Sequence, residues 1–167
     1  TPLPRSLAVY AQFSLYPLVA FAVVAISALM TALGRRAVRS RLAAAPVSGG
    51  SRGLGLLGAC LVIGVVGWLW IFGLGIAVFG AGSVTASAPL LGVVGAALGA
   101  YTLVAVAVGF LIGQLGLGSS AANAVANIGG MALSFIAGAW IPSGWLPDAV
   151  VAVSRFTPGY WAVRAIS

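Results

Sequence analysis

Histidine and lysine are both absent from this 167-residue chain, and acidic side chains are reduced to one, Asp148. Without histidine, neither a Ser/His/Asp nor a Cys/His nucleophilic centre can be assembled, and one carboxylate cannot supply a paired acid and base. Without lysine there is no Gly-x-x-x-x-Gly-Lys-Ser/Thr phosphate loop, so the glycines of Gly113-Gln-Leu-Gly-Leu-Gly118 are not a nucleotide cradle. The chain therefore reads as non-enzymatic, with no catalytic residue, metal site or cofactor of its own. Cys60 is the single cysteine, which excludes an internal disulfide and leaves its thiol as core filling.

What the chain has in abundance is apolar side chain. It is 62% hydrophobic and 5% charged with a mean hydropathy of +1.17, too little polar surface to cover a core in water, so lipid is the solvent. A helix needs roughly 20 apolar residues to cross the ~30 Å hydrocarbon layer, which leaves room for about four crossings in one membrane domain, residues 1–167. The formal charge of +7 comes from eight arginines lying between apolar runs. That is the pattern of loops facing anionic lipid and cytoplasm, and no basic groove or recognition module suggests nucleic acid. The chain starts at Thr1 with no charged region leading to a small-residue cleavage site. We expect no signal peptide, and a piece of a longer polypeptide.

The hydropathy pattern predicts an all-α, polytopic membrane bundle with spans at about 7–33, 54–79, 90–115 and 120–141. Pro17 either kinks the first span or marks a late start. Arg35, Arg36, Arg39 and Arg41 end it, because a charge at mid-bilayer costs on the order of 3 kcal/mol. Over residues 34–45 the spacing suits a short amphipathic surface helix, with Arg35 and Arg39 on one face and Val38 and Leu42 on another, until Pro46 and the Gly49-Gly50 pair break it. Residues 80–89 form a loop of small residues, and 116–120 a tight turn in which a serine caps the fourth helix. With Arg35, Arg36, Arg39, Arg41 and Arg52 on one side and Arg5, Arg155 and Arg164 on the other, loop 34–53 is expected in the cytoplasm and both terminal segments outside. Residues 142–167 are cut by Pro142, Gly144, Pro147, Pro158 and Gly159 into two pieces of about nine residues, each reaching only ~14 Å. Trp145, Phe156, Tyr160 and Trp161 favour the headgroup boundary, so these pieces are expected as re-entrant helices in the outer leaflet.

Asn123, Asn127, Gly130 and Ser134 follow the spacing of one helix face. They fit an interhelical hydrogen-bond seam or a pathway-lining face. Gly95 with Gly99, and Gly109 with Gly113, are small-xxx-small pairs that allow tight packing. The arginine cluster fits either anchoring to anionic lipid or docking to a soluble partner.

Three stretches resemble the end of an ABC type-2 exporter permease: Asn123 with Asn127, then Ile-Ala-Gly-Ala-Trp-Ile-Pro-Ser-Gly-Trp-Leu-Pro147, then Val-Ser-Arg-Phe-Thr-Pro-Gly-Tyr-Trp161. Arg36-Ala-Val-Arg-Ser-Arg-Leu-Ala-Ala-Ala-Pro46-Val-Ser is similar to that family's loop between its second and third spans. The resemblance implies that the four spans are the second to fifth of six, the first and last being absent. It implies a dimer with an identical or sister permease, two cytoplasmic ATPase subunits that bind ATP and Mg, and coupling through Arg35, Arg36, Arg39, Arg41, Leu42 and Pro46. It also implies export of an amphiphilic drug, antibiotic or lipid-like molecule across a bacterial inner membrane, with Trp145, Phe156, Tyr160 and Trp161 as an outer lid. A non-transporting scaffold and a gradient-driven carrier are the competing classes, the latter disfavoured by spans without ionisable groups.

Overall fold

A computed structural model describes residues 4–80, 88–141 and 143–166. Every regular element among them is helical: α1 (Arg5–Phe13), α2 (Leu15–Gly34), α3 (Arg36–Ala44), α4 (Gly49–Gly75), α5 (Ala88–Gln114), α6 (Ser119–Ala124), α7 (Gly130–Ile136), α8 (Asp148–Ser154) and α9 (Pro158–Ile166). Wider π turns extend α4 over Ile76–Gly80 and join α6 to α7 over Val125–Gly129. Three helical runs, Arg5–Gly34, Gly49–Phe79 and Ala88–Gln114, are long and apolar enough to cross a membrane.

The first of these is interrupted at Ser14, where ψ opens to −13°. Pro17 is the cause: it has no N–H to offer the Phe13 carbonyl, and Ser14 Oγ donates to the Tyr10 carbonyl at 2.7 Å on the same turn. The helix then runs to Gly34, and an extended Arg35 (ψ 135°) redirects the chain into α3.

Three expected boundaries move. The Gly49-Gly50 pair does not break a helix but opens α4, because Ser48 accepts a hydrogen bond from the Ser51 N–H and caps that end. The break lies just before it, where Ala45 is extended ahead of Pro46. At the next turn Gly118, not a serine, occupies the cap position of α6, and Gly116 takes the positive φ of 66° that the reversal needs. Finally, α7 stops at Ile136 and not at 141. Gly138 adopts φ 80°, with its N–H bonded to the Phe135 carbonyl and the Ala139 N–H to the Ser134 carbonyl, the Schellman arrangement. The helical run from Ser119 to Ile136 is thus roughly 27 Å long at ~1.5 Å per residue, short of the ~30 Å hydrocarbon layer, and it carries two asparagines.

Close contacts give the relative directions. A methyl placed on Gly109 would meet Ala22 and Val23, and one on Gly113 would meet Met30, so α5 runs parallel to α2. Gly67 faces Phe21 and Gly75 faces Tyr10, so α4 runs antiparallel to α2; Gly99 opposite Trp68 and Gly95 opposite Phe72 repeat that relation between α4 and α5. The α6–α7 run is antiparallel to α2: Ser119 and Asn123 share a recess with Ser27, Thr31 and Arg35, whereas Gly130 lies against Tyr16 and Val19. Alternating directions put α3 and the 115–118 turn at one end of the bundle. At the other end lie α1, the 76–80 turn, α8 and α9.

The core follows from this. Leu15, Leu18, Ala22, Val23 and Ile26 of α2 meet Val94, Leu98, Tyr101, Ala105 and Ile112 of α5, all buried at three- and four-residue spacing. Helix α9 folds back on α5 and α1, burying Tyr160, Ala162 and Ile166. The 81–87 part of the expected small-residue loop, and Pro142, lie outside the described residues.

Candidate functional site

The arginine segment is built by the turn at Arg35. Every residue of α3 except Val38 is exposed, and α3 packs only on the end of α2 among the principal contacts. Arg35, Arg36, Arg39 and Arg41 are all exposed, as are Leu42 and Pro46, so the six expected coupling residues are each accessible at one end of the bundle. Arg52 is set apart from them: its Nη2 donates to the Ala45 carbonyl at 2.9 Å and ties the end of the segment to α4.

The Asn123 face divides. Ser134 and Gly130 are buried against neighbouring helices, Ser134 completely. Asn127 stands at the margin, where Tyr16 Oη donates to its Oδ1 at 2.8 Å and its own Nδ2 donates to the Asn123 carbonyl at 2.8 Å. That second bond fits a helix that widens into a π turn, where backbone pairing is displaced. Asn123 itself lines a cavity of about 330 Å³ with Ser27, Thr31, Arg35 and Ser119, on the α3 side. One sequence stripe thus supplies a packed seam at one end and a polar recess at the other.

The four aromatic residues expected to form a lid are not brought together. Tyr160 and Trp161 meet edge to face at 5.4 Å, but Tyr160 is buried and Trp161 is not. Trp145 and Phe156 project at 85% and 92% exposure. A four-ring aromatic cluster forms elsewhere, part exposed: Trp140 stacks on Phe13 at 6.0 Å and meets Tyr16 and Phe135 edge to face at 5.7 and 4.7 Å.

Glycine positions split by function. Gly109 and Gly113 set the α2–α5 approach, whereas Gly95 and Gly99 accommodate rings of α4, with Trp68 Nε1 donating to the Gly95 carbonyl at 2.9 Å and Trp68 stacked on Phe72.

Two recesses were not anticipated from the sequence. A groove of about 900 Å³ opens between α1–α2 and α4, walled by Phe13, Pro17, Phe21, Val66, Trp70 and Leu74. A second cavity, of about 520 Å³, brings Arg5 and Arg164 together beside Gln12, Trp140 and Tyr160. The available signal was slight: both arginines lie outside the apolar runs, but at opposite ends of the chain, and nothing in the spacing links them.

Comparison of the chain with protein-family models, curated proteins and solved structures finds no match.

Proposed function

We propose that this chain is the permease portion of an ATP-driven exporter of the ABC type-2 kind, set in a bacterial inner membrane and moving an amphiphilic drug, antibiotic or lipid-like molecule. The observation that carries the reading is the arginine segment. A basic helix on a short connection between two long apolar helices, exposed along nearly its whole length, is a lever that a soluble partner can reach and push. The spans bring no ionisable group able to carry a proton or sodium cycle, so the energy comes from a partner that binds ATP and Mg. The resemblance of Arg36 to Pro46 and of the 123–161 region to the family supplies the partner's class, and with it a second permease subunit, identical or sister.

In this reading α3 lies at the cytoplasmic boundary and α8–α9 at the outer one, because the arginine-rich connection stays inside. Helices 119–136 then form a fourth, polar crossing that depends on neighbours for cover, and the α8–α9 pair is the outer re-entrant element. The groove between α1–α2 and α4, apolar apart from the hydroxyls of Tyr10 and Ser14 and the indole N–H of Trp70, suits an amphiphile entering from the lipid side.

Solubilised protein should co-purify with an ATPase, and Arg36→Glu with Arg39→Glu and Arg41→Glu should lower transport-coupled hydrolysis about tenfold or more by placing like charge where acidic or carbonyl groups are met. Unchanged coupling in a well-folded triple variant removes this segment as the docking surface. The scaffold reading keeps one observation in its favour, the broad exposed face of α4, and predicts no ATP-dependent uptake of any hydrophobic dye by vesicles holding the complex.

A further inference from the structure

We propose that the cavity between α1, α9 and the turn after α7 binds the phosphate head of an anionic amphiphile. The inference holds for a pump or a scaffold and does not rest on the ATPase.

Its volume, about 520 Å³, is lined by Arg5, Gln12, Phe13, Trp140, Tyr160 and Arg164 among others. Two arginines from opposite ends of the chain line one recess. Planar forks of N–H donors are the chemistry that recognises phosphate, and the Gln12 amide and Tyr160 hydroxyl add neutral donors. Arg164 Nη1 already donates to Tyr160 Oη at 3.3 Å, which fixes that arginine beside the recess.

Two features call for an anion there. Arg5 is the first residue of α1, whose opening turn contains no acid, so a cation sits against the positive end of the helix dipole. An anion bound beside it relieves both. Trp140, a residue of the same lining, keeps its indole N–H enclosed without a hydrogen-bond partner among the described residues.

The site's place selects an amphiphile over free phosphate. It lies where α2 begins, at the end of the long apolar helices, which is the depth of lipid headgroups. One side of its wall is apolar, with Phe13 stacked on Trp140 and half exposed beside Val9, a surface for the first methylenes of an acyl chain.

The test uses the full chain in detergent micelles, with retained lipid measured by native mass spectrometry. Dioleoyl phosphatidic acid should be retained about tenfold better than dioleoylglycerol, which has the same tails and no phosphate. Arg5→Gln with Arg164→Gln should reduce it to the dioleoylglycerol level, Trp140→Phe should weaken it about threefold, and Arg36→Gln with Arg39→Gln should leave it unchanged. If the double glutamine variant does not fold, Arg5→Lys with Arg164→Lys keeps the charge but not the fork and should lose about threefold. Inorganic phosphate at equal concentration should displace little lipid. Equal displacement would reassign the recess to free phosphate, and equal loss on neutralising Arg36 and Arg39 would reduce the effect to net charge; either result overturns the proposal.

Discussion

Helices α4 and α5 are both 27 residues long, and the most apolar 18-residue windows of the runs they form have mean hydropathies of 2.4 and 2.1, yet 17% of the first window is buried and 44% of the second. Hydropathy alone therefore does not separate a helix that faces lipid from one that organises the bundle. The separation lies in the stripe each presents. In α5, Leu91, Val94, Leu98, Tyr101, Ala105 and Ile112 alternate at three and four residues with Gly95 and Gly109, giving a wide face that receives α2, α4 and α9. In α4 the buried positions reduce to Cys60, Gly64, Gly67 and Gly75, a line one small residue wide, while Leu54, Val62 and Trp70 remain exposed at 73%, 62% and 69%. Because lipid is as apolar as these side chains, association in the membrane depends on close packing and hydrogen bonds. A narrow stripe of glycine is enough to hold α4 in place, but it leaves most of the helix for lipid or a partner.

The sharpest break in this contrast should come at Gly109. A methyl there would lie 3.1 Å from the Ala22 carbonyl oxygen and 3.1 Å from Val23 Cα, backbone atoms that cannot swing aside. Gly109→Val is expected to cost about 3 kcal/mol, read as a lower melting midpoint in detergent. A smaller effect should follow at the α4–α5 contact. Trp68→Phe keeps the stack on Phe72 but removes the bond to the Gly95 carbonyl, and should cost about 1 kcal/mol by the same melt. The smallest belongs to the outer face of α4, where Val62→Leu should change the midpoint by less than about 0.5 kcal/mol. A loss at Val62 as large as that at Gly109 would mean that this face is packed against another chain in the micelle.

The three long apolar helices were legible because lipid imposes an unbroken run of apolar residues on any segment that crosses it. The ends were less so. Gly138 stops α7 through a left-handed φ that no hydropathy pattern encodes, and Ser48 rescues a Gly-Gly pair that reads as a breaker. Of the candidate residues, the Asn123 stripe was readable as one face, since helical spacing fixes it. That Asn127 meets Tyr16 while Ser134 is sealed inside depends on which helix lies opposite, which is information of tertiary origin. Of Trp145, Phe156, Tyr160 and Trp161, the described contacts join Tyr160 and Trp161, because shared chemistry alone does not place side chains together. Arg5 and Arg164 line one recess only because α1 and α9 pack side by side.

The account turns on which side of the membrane holds the arginine segment. Two positions decide it, Ala43 on α3 and Ala165 on α9, both exposed, in a Cys60→Ala background that removes the buried native thiol. In sealed, outward-facing vesicles a membrane-impermeant maleimide should label Ala165→Cys at once and Ala43→Cys only after permeabilisation. Immediate labelling of Ala43→Cys in intact vesicles would invert the topology and remove the surface through which an ATPase is proposed to act.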